Sequence, residues 1–113
     1  MSTMSRDSTT YIRHILAELD YLLESSADLD EKTFHADETL KRAFARSLEI
    51  IGEATKQLPQ SLRDEHPDVP CAKMAAMRDV LIHDYFGIDY DIVWDVVENE
   101  VPTLRRQLGE LVE

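Results

Sequence analysis

The sequence predicts an all-α protein, an antiparallel up-and-down bundle of four or five helices. Three observations carry this. Apolar residues recur at three- and four-residue spacing along most of the chain. Only three glycines and four prolines punctuate 113 residues, and no alternating run is long enough to argue for a strand. The periodic segments are joined by short polar stretches, which favour antiparallel neighbours.

The first helix is expected to follow Ser8 or Thr9, either of which can cap it, leaving residues 1–7 as a flexible N-terminus. Ile12, Ile15, Leu16, Leu19, Leu22 and Leu23 form its apolar stripe. "SSADLDEKTFHAD" (25–37) reads as a polar connection with one short helical turn around Phe34. Asp37 suits the N-cap of a second long helix, buried through Leu40, Phe44, Leu48, Ile51, Thr55 and Leu58 and ending before Pro59. The stretch 59–70 carries three prolines and is expected to be a loop with at most a short helix. A third main helix is expected from Cys71 to Tyr85 or Phe86, stopped by Gly87 in a left-handed cap. Asp89 should cap the last helix, and Pro102 should kink or interrupt it because proline removes a hydrogen bond and clashes with the preceding turn.

The length suits one domain over 1–113, large enough to bury roughly 65% of its unfolded surface without disulfide or metal support. A lone cysteine, Cys71, cannot form an intrachain bridge and points to a reducing compartment. The opening "MSTMSRDSTT" has no apolar stretch, and no run approaches a membrane span, so a cytoplasmic protein with no membrane partner is expected. A net charge of −11 opposes sequence-blind nucleic-acid binding, and DNA is not an expected partner. Any nucleic-acid chemistry must then sit in a local site.

One stretch stands apart: "MRDVLIHDYF" (77–86) sets Arg78, Asp79, His83, Asp84 and Tyr85 among core-like apolar residues. Buried polar groups are costly unless paired, so their presence asks for a reason. On a continuous helix Arg78 and Tyr85 fall within about 20° of each other, and Asp79 and His83 form an i,i+4 pair. A carboxylate in that position can fix the imidazole tautomer. Arg78 and His83 instead diverge by about 140° and about 7.5 Å of rise, so one copy of the helix points them apart. The plainer reading keeps Arg78 and Asp79 as surface charges and His83 as a cation at a helix C-terminus.

Weaker candidates have simpler accounts. Arg42, Arg46, Glu49 and Glu53 read as a self-paired solvated face, with a minority reading in which Arg46 borders an RNA cleft. Asp84, Asp89 and Asp91 form an acidic turn that matches no calcium loop and suits capping of the final helix. His14 and Glu18 read as surface residues. No glycine-rich phosphate loop and no Cys/His cluster occurs, so neither a metal nor a cofactor is expected.

The spacing arginine, four residues, histidine, one residue, tyrosine resembles the R-x4-H-x-Y signature of the HepT toxins of the HEPN superfamily (higher eukaryote and prokaryote nucleotide-binding domains). "RSLEIIGEATKQL" (46–58) resembles that family's second helix with its "IGEA" core, and "GIDYDIVWDVVENEVPTLRRQL" (87–108) resembles its final helix. The likeness covers about residues 8–112. Cys71 stands where many members have tryptophan, and Ala76 where glycine often precedes "MR".

The resemblance implies a symmetric homodimer in which Arg78 and His83 of two subunits meet in a composite site, with Asp79 in support. It implies a type VII toxin–antitoxin system: a metal-independent endoribonuclease that cleaves RNA through 2′-OH attack. A cognate MntA-like minimal nucleotidyltransferase antitoxin would inactivate it by attaching AMP to Tyr85. A catalytically silent HEPN module that docks a nucleotidyltransferase is the alternative. The dimer is also expected because one bundle cannot cover Met74, Met77 and Leu81 together while Arg78 and Tyr85 stay accessible, unless a second subunit covers part of that surface.

Overall fold

In the computed structural model, residues 4–82 and 87–112 are described. His83, Asp84, Tyr85 and Phe86 lie outside them. Among the described residues all regular structure is helical, in the order α1 (Arg6–Ser26), α2 (Glu31–Ala36), α3 (Glu38–Lys56), α4 (Gln60–Glu65), α5 (Cys71–Ala75), α6 (Met77–Leu81), α7 (Tyr90–Asn99) and α8 (Val101–Val112). None of these helices is long and apolar enough to cross a membrane.

Helix α1 begins earlier than expected. Ser5, not Ser8 or Thr9, is its cap: the Ser5 hydroxyl oxygen accepts the Ser8 backbone N–H at 3.1 Å. Arg6 and Asp7 therefore form its first turn, and Ser8 is buried inside the helix with its hydroxyl against that of Ser5. All three hydroxyl residues 5, 8 and 9 suit a cap by type, and the buried position of Ser8 decides among them.

The expected apolar stripe of α1 faces the core, with Ile12, Ile15, Leu19 and Leu22 fully buried and Leu23 partly so. It packs against α3 and α8. Helix α2 is the short turn expected around Phe34. Asp30 caps it, accepting the Thr33 N–H at 2.7 Å. Phe34 is fully buried, with ring centroids 5.3 Å from Phe44 and 5.2 Å from Trp94, so this one residue ties α2 to α3 and α7.

Asp37 serves two helices. Its backbone N–H closes α2 on the Phe34 carbonyl, and its carboxylate accepts the Leu40 N–H at 2.9 Å to start α3. At the other end of α3, the Thr55 carbonyl accepts both the Leu58 N–H at 3.0 Å and the Arg63 guanidinium at 2.9 Å, which ties α4 to the helix terminus. The three-proline stretch holds the short helix α4 and then loop.

The expected third main helix is divided, and this is the main correction to the sequence reading of the fold. The chain leaves α-geometry at Ala76 (φ −86°, ψ 6°), separating α5 from α6, and Ile82 is extended (φ −80°, ψ 125°). The described helix thus ends at Leu81. Gly52 on α3 explains how the break is accommodated: a Cβ placed there would stand 3.1 Å from the Met74 carbonyl oxygen and 3.4 Å from the Met77 Cβ. The missing side chain lets the backbone at the break approach α3.

The chain returns through an isolated antiparallel bridge between Ile82 and Ile88. The Asp89 N–H also donates to the Leu81 carbonyl at 2.7 Å. Gly87 has the expected positive φ of +100°, but it neighbours this bridge rather than directly following the described helix. Asp89 caps α7 as expected, accepting the Asp91 and Ile92 N–H groups. Pro102 interrupts the final helix as expected: α7 stops at Asn99, and Pro102 occupies the first turn of α8, where a missing N–H costs least. Arg105 on α8 pairs with Asp20 on α1 at 2.6 Å across the bundle.

Candidate functional site

Helix α6 positions the candidate arginine. Met77 and Leu81, four residues apart on one face, are 2% and 1% exposed and anchor the helix to the core. That turns Arg78, Asp79 and Val80 outward, all exposed. A long cation is thereby presented to solvent on a rigidly seated turn, with a carboxylate beside it. Neighbours at i,i+1 do not face each other on a helix, so Asp79 does not neutralise Arg78 by direct facing contact.

The i,i+4 pairing of Asp79 with His83, and the shared face of Arg78 and Tyr85, both required helical geometry through residue 85, and the described helix ends at Leu81. His83 and Tyr85 themselves lie outside the described residues. The stretch that contains them is bracketed by the Ile82–Ile88 bridge, which brings its two flanks together directly beside α6.

The burial argument for a dimer is also overturned. Met74, Met77 and Leu81 are covered within a single chain while Arg78 remains exposed. The apolar side chains left in solvent are instead Val80 and Ile82, 39% and 42% exposed, on the same segment as Arg78.

Arg46 sits elsewhere. It lines an open groove between α1 and α3 with Tyr11, His14, Ile50 and Glu53, and no residue of α6 contributes to that lining. Its guanidinium stands 3.6 Å from Glu49, as expected for a self-paired face. His14 is exposed, again as expected. A second groove, of about 290 Å³, runs beside the candidate segment between α5 and α8, with Met74, Met77 and Leu104 at its base. The Lys73–Glu100 ion pair borders it.

Two features escaped the sequence reading. Gly52 was visible only as part of "IGEA", and nothing local marks a helical glycine as a contact point. Glu31 and His35 stand at i,i+4 spacing, a signal that was present, but their convergence with Asp91 of α7 is a tertiary fact.

The architecture and the outward-facing Arg78 define a class: a small all-helical domain that presents an exposed arginine on an otherwise acidic chain. Comparison with known proteins narrows this. The Ribonuclease HepT-like family matches residues 12–111, and the chain belongs to that family. A candidate RNase of Caldanaerobacter subterraneus subsp. tengcongensis is 46% identical over 103 residues, covering 91% of this chain and 92% of the relative. A candidate RNase of Methanocaldococcus jannaschii is 35% identical over 108 residues, covering 96% and 93%. A protein of Thermococcus cleftensis named "Probable ribonuclease HepT" is 35% identical over 108 residues, covering 96% and 98%. No solved structure matches the chain.

Proposed function

We propose that the chain is a metal-independent endoribonuclease and the toxic member of a type VII toxin–antitoxin pair. The observation that carries this is the seating of Arg78: the arginine of the R-x4-H-x-Y pattern is held in solvent by a buried Met77–Leu81 anchor, in a chain whose family match spans 12–111. In the proposed reaction His83 takes the ribose 2′-OH proton, and the oxygen attacks the adjacent phosphorus. The 5′-oxygen leaves with a proton supplied by a histidine, giving a 2′,3′-cyclic phosphate. Imidazole suits both proton transfers because its ordinary pKa lies near neutrality. Arg78 binds the phosphoryl oxygens as charge builds on them, a role that suits the guanidinium fork. Asp79, next to Arg78 on α6, is the proposed support for this pair.

A homodimer is part of this reading. Val80 and Ile82, exposed on the segment that follows Arg78, are the surface a second copy would cover, and a twofold axis would bring a second set of catalytic groups to the same place. Tyr85 is the proposed acceptor of AMP from a partner nucleotidyltransferase: its oxygen attacks the α-phosphorus of ATP, and pyrophosphate leaves. The attached phosphodiester carries negative charge that Arg78 would bind in place of RNA. Arg46 remains a proposed contact for RNA lying along α3.

The test is cleavage of RNA by the purified chain. Arg78→Ala and His83→Ala should each lower the rate by about 10²–10⁴-fold, with thermal stability little changed and with wild-type cleavage persisting in EDTA. Wild-type protein that leaves RNA intact while still binding a nucleotidyltransferase would replace this reading with that of a silent docking module.

A further inference from the structure

A second cluster of reactive side chains lies away from Arg78, between α2 and α7. Glu31 and His35 are one helical turn apart on α2, and Asp91 comes from the first turn of α7. One ligating atom from each lies within 4.8 Å of the other two. The geometry points to a binding site for a divalent transition metal of the zinc class, held by one imidazole and two carboxylates.

Three observations support it. The donor set is one that zinc uses, and metal–ligand bonds of about 2.1 Å at tetrahedral angles place ligand atoms about 3.4 Å apart. Ligand atoms up to 4.8 Å apart need to close by up to about 1.4 Å, within reach of rotations of the exposed Glu31 and Asp91 side chains. The His35 Nε2 is closed off from solvent and lies 3.0 Å from an Asp91 carboxylate oxygen, yet that contact lacks the alignment of a hydrogen bond. A simple histidine–aspartate pair would align the two, and it would have no use for Glu31. Finally, the imidazole is already oriented. Its ring stands edge-on to the buried Phe34 at 5.4 Å.

Two carboxylates and a neutral imidazole carry a formal charge that one divalent cation neutralises. Binding would clamp α2 to the start of α7, three residues beyond the Ile88 bridge, without a part in phosphodiester cleavage.

The experiment is titration of the full chain with Zn²⁺, followed by calorimetry and by NMR of the histidine side chains. One ion per chain is expected, with the His35 imidazole signals shifting and those of His14 and His66 unmoved. Glu31→Gln, His35→Gln and Asp91→Asn should each weaken binding roughly tenfold or more. They should leave the metal-free melting temperature near that of the wild type, since two of the three residues are exposed. Absence of saturable binding overturns the proposal, as does binding that shifts other histidines or survives all three substitutions. The wild-type NMR titration decides the matter even if a variant fails to fold.

Discussion

Gly52→Ala isolates the close approach that shapes the candidate site. In an ordinary helix interior this change stabilises, because alanine is favoured over glycine by about 1 kcal/mol. Here the new methyl would stand 3.1 Å from the Met74 carbonyl oxygen, 3.4 Å from the Met77 Cβ and 3.7 Å from the Ala75 carbonyl oxygen. Two of those atoms are backbone at the α5–α6 break, so they can retreat only by moving the segment that carries Arg78. Overpacking of this kind costs about 1–3 kcal/mol. The difference is a net loss of about 0–2 kcal/mol, with a midpoint near 1 kcal/mol. For a domain of this size that lowers the melting temperature by about 4 °C. Thermal and urea unfolding of the two proteins measure it. An alanine variant that melts about 4 °C higher than wild type would mean that propensity alone acts and that Gly52 is not a contact point.

Tyr85→Phe is expected to keep ribonuclease activity and to escape inactivation by a partner nucleotidyltransferase with ATP. Intact mass is the readout, and AMP increments on another residue would reject Tyr85 as the acceptor. Cys71 is 7% exposed, and burial raises its thiol pKa, with the Arg63 charge opposing in part. Native protein at neutral pH should therefore react with a thiol reagent far more slowly than unfolded protein, and equal rates would refute that placement. The Thr33 backbone N–H at the Asp30 carboxylate lowers its pKa below the usual carboxylate value. A depressed folded pKa means that the cap's contribution is present above the unfolded value of about 3.9 and is lost as pH falls through the lower folded value. Amide exchange in α2 should accelerate only below about pH 4, and loss of protection well above that pH would contradict the capping role.

Much of the fold was legible in one dimension because its determinants are local. The stripe from Ile12 to Leu22 is a 3.6-residue period, the Asp37 and Asp89 caps each satisfy N–H groups two or three residues ahead, and Pro102 lacks the hydrogen that would continue a helix. The R-x4-H-x-Y pattern with "IGEA" and the final helix likewise sufficed for the family, since the matching blocks lie in order along the chain.

What only the tertiary structure decided involves residues distant in sequence. No proline or glycine marks Ala76, yet the helix breaks there, against a glycine twenty-four positions earlier that gives the backbone room. The same packing buries Met74, Met77 and Leu81 within one chain and leaves Val80 and Ile82 exposed, a division that an apolar count along the sequence could not reveal. His35 and Asp91 are fifty-six residues apart and meet because Phe34 is driven into the core between Phe44 and Trp94. Periodicity reports which side of a helix prefers to be dry. Where two dry sides meet, and which polar groups that contact carries together, depends on the three-dimensional fit of side chains that no local pattern encodes.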